Sequence, residues 1–252
     1  MLVWNGSGKI MIHVFKNYDA LTETAASFIY EVGKRKVTEQ STFYLVLSGG
    51  KTPEAIYSRL ASISVIDRAM WFGTQVFWGD ERCVPPENPL SNYRMASEAL
   101  LKKVPIDPLK IHRIPAEQTD LTEAIKHYED KYPISPDLVL LGMGEDGHTA
   151  SLFPDSHALN IKDRNFVLVE TDAEPRHRVT MTPKAIECAE YILVIVSGKE
   201  KATALKQVFE SEGYIKKTPA RLMRKRTWYV DQDAARLLFD LDYLADEIIV
   251  RK

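Results

Sequence analysis

Two runs of consecutive apolar residues, LVLL at 138–141 and ILVIV at 192–196, constrain the fold more than any other feature of the chain. Runs without a polar residue at alternate positions read as strands buried on both faces, which demands a layer of structure above and below the sheet. The same plan recurs along the chain: a short apolar run, a small polar loop, then an amphipathic stretch. Residues 10–15 precede a helical stretch at 20–35, and 43–47 lead through Ser48-Gly49-Gly50 to a helix at 53–61. Residues 76–78 lead through Asp80-Glu81-Arg82 and a proline-rich loop to a helix at 92–101. Residues 166–171 read as a strand, 179–182 lead into a helix through Ala189, and 191–196 run into a helix at 200–210. Residues 228–230 precede Asp231 and a closing helix. The expected fold is therefore α/β: a doubly wound, mainly parallel sheet with helices on both faces, Rossmann-like. One domain spanning 1–252 is expected, with a small helical excursion at 120–132 inside the less regular stretch 105–134.

Composition excludes several classes. At 252 residues, 45% hydrophobic and 27% charged, the chain has the make-up of a globular protein with a full core. A net charge of −2 offers no basic stripe for nucleic acid. The one dense basic run, Arg221, Arg224, Lys225 and Arg226 with Lys216 and Lys217 before it, is either a solvated face or a local anion-attracting rim. Cys83 and Cys188 are isolated and fit a reducing compartment. The first ten residues lack the apolar stretch of a signal peptide, and no run reaches the roughly 18 residues of a membrane helix. The cytoplasm is the expected compartment, with neither nucleic acid nor membrane as partner.

In open parallel sheets, ligands bind beyond the carboxyl ends of the strands. The polar clusters at 48–52, 80–82, 144–148 and 197–201, together with Arg178, follow or flank strands, so they are expected to converge on one edge. In LSGGKTP, Gly49 and Gly50 allow close approach of backbone N–H groups to a ligand, while Thr52 suits an N-cap and Pro53 a first helical position. A helix N-terminus beside Ser48, Gly49, Gly50, Lys51 and Thr52 would favour an anionic oxygen. A plain strand-to-helix turn is the competing reading. Arg82 offers a two-pronged donor for phosphate or carboxylate, and Asp80 accepts sugar hydroxyls or pairs with Arg82. A salt-bridged loop is again the alternative.

The most specific segment is DLVLLGMGEDGHTASLFP. A buried strand ends in Gly142, Gly144 and Gly147, which hold Asp146 and His148 on a tight loop. Histidine as a class exchanges protons near neutrality, so His148 is a candidate general base, with Asp146 placed to set its tautomer. His13, His112, His127, His157 and His177 lack such a setting. Arg178 and Lys201 stand at two further strand ends, either gripping a phosphate or decorating the surface. No HExxH, cysteine pair or ligand-spaced carboxylate–histidine set points to a metal, and no GxSxG elbow points to a serine nucleophile. No cofactor is expected.

Taken in order, LSGGKTPEAIYSRL, FWGDERCVPPENPLSNYRMA, DLVLLGMGEDGHTASLFPDS, RVTMT, VSGKEKA, Pro219-Ala220 and WYVDQDAA resemble the 6-phosphogluconolactonase family over most of the chain. The resemblance implies metal-free hydrolysis of 6-phospho-D-glucono-1,5-lactone to 6-phosphogluconate, in the oxidative pentose phosphate pathway. It implies His148 as general base and Asp146 as its partner. The glycine loop, Asp80, Arg82 and Gly144 would line the substrate, with Arg178 and Lys201 as phosphate ligands. Lys51 stands where that family usually has a small serine, and Gly79 where it usually has valine. One alternative is a sugar-phosphate isomerase of the glucosamine-6-phosphate deaminase type, which shares a Gly–x–Asp–Gly–His element but continues with Asn and Glu. Here Thr149-Ala150-Ser151 come next. A second alternative is a non-catalytic sugar-phosphate sensor. The oligomeric state is left open.

Overall fold

The structure, a computed structural model, describes residues 10–251; the N-terminal residues considered for a signal peptide lie, all but Ile10, outside the described residues. Along the chain the elements are β1 (Met11–Phe15), α1 (Tyr18–Gln40), β2 (Phe43–Leu47), α2 (Lys51–Ser64), α3 (Arg68–Gly73), β3 (Thr74–Trp78) and β4 (Asp80–Arg82). Next come α4 (Asn92–Ala99), α5 (Leu121–Lys131), β5 (Leu138–Gly142), β6 (Phe166–Glu170), β7 (His177–Met181) and α6 (Pro183–Glu187). The last are β8 (Tyr191–Val196), α7 (Ala202–Phe209), β9 (Thr227–Asp231), α8 (Gln232–Ala235) and β10 (Ile248–Arg251).

Seven strands form one parallel sheet in the order β10-β1-β9-β8-β5-β2-β3. The expected both-face burial holds for the apolar runs: Leu138–Leu141 and Ile192–Val196 are all buried. Helices are set by ordinary local chemistry. Asn17 caps α1 by accepting from the Ala20 N–H, Asp120 caps α5 from Glu123, and Asp231 caps α8 from Ala234. The α5 helix is the excursion expected at 120–132.

Strand order locates the site. From β2 the chain moves outward to its neighbour β3, then returns to β5 on the other side of β2 and continues outward through β8 and β9. The winding therefore reverses between β2 and β5. Their ladder consists of Leu45↔Leu138 and Val46↔Val139, leaving Leu47 and the rest of β5 unladdered across that gap. A crevice at this switch point is what the topology of an open α/β sheet dictates.

Several expectations are corrected. β4, β7 and β6 form a separate three-stranded antiparallel sheet, so Asp80-Glu81-Arg82 is a strand and not a loop. Gly79 joins the two sheets: its N–H donates to Leu47 O and its carbonyl accepts from Met181. The α2 helix begins at Lys51 with Gly50 as N-cap, so Thr52 and Pro53 lie inside its first turn. The closing helix is only the four residues of α8, and the last described element is instead β10, which adds to β1 as an edge strand. The basic run has a structural use. Arg221 donates to the carbonyls of Gln207, Val208 and Glu210, and Arg224 to that of Phe209, satisfying the open carbonyls at the end of α7.

Candidate functional site

A cavity of about 560 Å³ opens at the switch point. It is lined by Ser48, Gly49, Gly50, Lys51 and Thr52 after β2, Asp80 and Arg82 of β4, Gly144 and His148 after β5, Arg178 of β7, and Lys201 after β8. The separate sequence clusters thus meet around one space. Asp146 does not line it but is hydrogen-bonded to His148, which does.

The loop after β5 is built tightly. Gly144 N–H donates to His148 O, Gly147 N–H donates to Gly144 O, and Thr149 Oγ1 donates to Gly142 O. Gly147 has φ +80°, a region that disfavours a Cβ, and its carbonyl accepts from Ala220. Gly144 is required for a different reason: a Cβ there would stand 2.1 Å from His148 Nδ1. Only a bare backbone leaves the imidazole its place.

Asp146 Oδ1 lies 2.6 Å from His148 Nδ1 and 3.0 Å from the His148 backbone N. A carboxylate only accepts, so in the neutral ring the proton sits on Nδ1 and Nε2 keeps its lone pair. Partial burial pushes the Asp146 carboxyl up, but the hydrogen bonds and charge of His148 outweigh it and hold the group below its ordinary value. The remaining histidines serve elsewhere. His13 is buried, accepts from Arg251, and is lowered to about 4 by burial and that guanidinium. His112 bonds Gln75, His127 faces Glu123, and His157 and His177 are exposed.

The cations have unequal freedom. Arg82 and Arg178 are register partners across β4 and β7, and Arg178 is buried. Burial and the neighbouring Arg82 charge lower the Arg178 pKa, with Asp80 acting in the opposite sense. Arg178 is anchored by the carbonyls of Pro175, Ala173 and Glu174. Arg82 donates through Nη1 to Leu90 O, while its buried Nε has no protein acceptor. Two guanidiniums held side by side form a place for an anion. Lys201 Nζ stands 3.8 Å from Glu145, and Lys51 is exposed at the start of α2.

Asp80 makes no ion pair with Arg82; its carboxylate accepts from Ser151 Oγ at 2.7 Å and from Asn92 Nδ2 at 3.3 Å. Glu81 is also unpaired with Arg82's guanidinium. Its buried carboxylate accepts from the N–H groups of Asn92 and Tyr93 and from Ser91 Oγ, stabilising the start of α4. The hydroxyl of Tyr57 both accepts from Ser48 N–H and donates to Ser48 O, fixing the end of β2, while Ser48 Oγ is buried without a protein partner. The sequence reading missed four polar residues of the lining: Tyr18, Asn92, Ser197 and Glu200. Ser197 and Glu200 lay within a cluster already marked, and Asn92 followed the serine cap of α4. Nothing in the sequence pointed to Tyr18. Among the described residues, no group of three or more His, Cys, Asp or Glu is arranged to hold a metal ion, and no helix is long and apolar enough to cross a membrane.

Known proteins carry the same arrangement of chain. The 6-phosphogluconolactonase of Synechocystis is 34% identical over 241 residues, covering 90% of this chain and 98% of its own. That of Haemophilus influenzae is 35% identical, covering 77% and 87% respectively. The solved structure of 6-phosphogluconolactonase from Trypanosoma brucei superposes with a TM-score of 0.80 at 26% identity, covering 92% of this chain and all of that one. A family model described as glucosamine-6-phosphate isomerases/6-phosphogluconolactonase matches residues 16–231, from just before α1 to the end of β9. On that breadth of match the chain belongs to the glucosamine-6-phosphate isomerase/6-phosphogluconolactonase family.

Proposed function

We propose that the chain hydrolyses 6-phospho-D-glucono-1,5-lactone to 6-phosphogluconate, with His148 as general base. The observation that carries this reading is the Asp146–His148 pair at a cavity lined by Arg82, Arg178 and Lys201. A base with a free Nε2 beside several cations suits a substrate that bears a phosphate at one end and an electrophilic carbonyl at the other.

Nε2 takes a proton from water as its oxygen bonds to C1 of the lactone. The tetrahedral intermediate collapses with cleavage of the bond between C1 and the ring oxygen. The proton on Nε2 then passes to that departing oxygen, so the imidazole is regenerated and the ring opens to a hydroxy acid. A positioned general base contributes about 10²–10⁴-fold. Arg178 and Lys201 hold the phosphate. The glycine-loop amides at the start of α2 and Arg82 face the carbonyl oxygen as charge develops there, where preorganised donors are most effective. Ser48, Gly49, Gly50, Lys51, Thr52, Asp80 and Gly144 line the sugar.

An isomerase or deaminase is disfavoured by the residues that succeed His148 in the chain. The hydroxyls of Thr149 and Ser151 are committed to Gly142 O and Asp80, and no carboxyl group occupies those positions to assist ring opening. The test is a coupled assay with freshly generated lactone, spontaneous hydrolysis subtracted. Wild-type protein is expected to accelerate ring opening and His148→Ala to lose about 10²-fold or more while remaining folded. Ammonia release from glucosamine 6-phosphate, or ligand binding without lactone hydrolysis, would overturn the assignment.

A further inference from the structure

Phe153 does not line the cavity, yet both ends of the proposed chemistry rest on it. The His148 imidazole stacks on its ring with centroids 4.3 Å apart and planes at 26°. The Arg178 guanidinium lies over the same ring, 5.5 Å from its centroid. We propose that Phe153 is a positioning residue, a single flat platform that sets the base and the phosphate-binding arginine relative to one another. This rests on the functional reading of His148 and Arg178 as base and phosphate ligand.

The backbone around Phe153 is built to hold a platform still. The turn before it contains Ala150 at φ +49°, a conformation that a residue with a Cβ adopts only under local constraint. Thr149 and Leu152 close that turn by a backbone hydrogen bond of 2.9 Å. Ser151 is fixed on both sides, its N–H donating to Thr180 Oγ1 and its hydroxyl to the buried carboxylate of Asp80. After Phe153, Asp155 stands at φ +61°, donates its N–H to Lys216 O and pairs with Lys217 Nζ at 2.8 Å. The ring is thus delivered from a segment pinned before and after it.

Its two guests are each tethered on one side only. Asp146 fixes Nδ1 of His148, leaving rotation of the ring about that bond to be stopped by stacking. Carbonyls of residues 173–175 fix one edge of Arg178, leaving the plane of the guanidinium to be set by the aromatic face. Stacked and cation–π contacts of this kind correspond to about 3- to 10-fold each in an equilibrium. A residue outside the cavity lining would therefore act on turnover through one guest and on affinity through the other.

The experiment compares Phe153→Leu, which keeps an apolar side chain but removes the flat face, with Phe153→Tyr, which keeps the face. Phe153→Leu is expected to lower kcat and raise KM by about 3- to 10-fold each, in protein that remains folded at the assay temperature, and Phe153→Tyr to restore most of both. In a His148→Asn background, where turnover is removed, Phe153→Leu is expected still to weaken calorimetric binding of 6-phosphogluconate by a similar factor. Wild-type kcat and KM in Phe153→Leu, alongside an inactive His148→Ala, would overturn the platform while leaving the base intact. Equal losses in Phe153→Leu and Phe153→Tyr, in step with lost folded protein, would overturn it as well. Full turnover in His148→Ala would instead defeat the functional reading itself.

Discussion

Asp146 Oδ1 accepts from both the ring Nδ1 and the backbone N–H of His148, at 2.6 and 3.0 Å. One carboxylate oxygen therefore fixes the loop and the tautomer together. Replacement by alanine removes that acceptor, so nothing holds the ring proton on Nδ1, and the tautomer with its proton on Nε2, which has no lone pair there to take a proton from water, becomes populated. Asp146→Ala is expected to lower kcat by about 10²-fold or more. KM should change little, because Asp146 does not line the cavity. Steady-state kinetics on fresh lactone check this; a wild-type kcat would contradict the tautomer argument.

The same pair sets the response to pH. Burial alone would raise the Asp146 carboxyl, but the hydrogen bonds and charge of His148 bring it below its ordinary value. A carboxyl depressed in the folded state contributes stability above its unfolded pKa, and that contribution is lost as pH falls through the folded value. The Asp146 carboxylate, and with it the acceptor for His148 Nδ1, is therefore kept through mild acidification. The expected outcome is a thermal midpoint that stays flat through mild acid and then falls more steeply in wild type than in Asp146→Ala as the carboxyl protonates. Identical acid dependence of the two midpoints would show that the carboxyl is not held down by His148.

Gly144 supplies a purely steric test. A methyl group there would meet His148 Nδ1 at 2.1 Å and Asp146 Oδ1 at 2.7 Å, both closer than real side-chain carbons approach. The imidazole must swing away or the loop must open. Gly144→Ala is expected to lose at least about 10²-fold in kcat, the contribution of a positioned base. Circular dichroism should remain that of the wild type, since the strain is confined to one loop. Retained activity would mean that the loop relaxes without moving the base.

These residues show what is readable from sequence and what is not. The buried runs at 138–141 and 192–196 announce central parallel strands because two-sided burial removes every polar residue. The glycines around Asp146 and His148 announce a tight loop because few other residues allow one. By contrast β4 is three residues, Asp80-Glu81-Arg82, all charged, and its strand character comes from pairing with β7 across a long separation in the chain. No local pattern encodes that partner. β10 was likewise hidden, since four residues after short turns become a strand only by docking on β1. Gly50, at φ +111° in a region that disfavours a Cβ, displaced Thr52 as the cap of α2. Glu81 reads as part of a salt-bridged loop, yet it is buried beneath the start of α4. Convergence of the cavity residues was foreseeable only through the rule that ligands sit beyond strand ends.

The far end of the sheet offers a test of stability that leaves the site alone. Lys36 of α1 is buried and reaches Asp137 at 3.1 Å and Glu190 at 2.5 Å, just before β5 and β8 begin. Asp137 also accepts from Tyr44 N–H and Gln40 Nε2, so it fastens α1, β2 and β5 at one point. Replacing Lys36 with methionine keeps the packing stem but leaves the Asp137 charge buried without its counter-ion, at a cost of about 3 kcal/mol. Glu190, being more exposed, adds little to that figure. Burial pushes the Lys36 amine down and the Glu190 carboxyl up, but their mutual hydrogen bond prevails, raising the first and lowering the second. A raised lysine contributes below its unfolded pKa, and a lowered glutamate contributes above its own. The penalty of Lys36→Met should therefore be constant between about pH 6 and 9, above the range of the Glu190 carboxyl and below that of the Lys36 amine. Urea unfolding across pH measures it, with kcat and KM expected unchanged. A penalty under about 1 kcal/mol at neutral pH would show that Tyr44 and Gln40 alone suffice to hold Asp137.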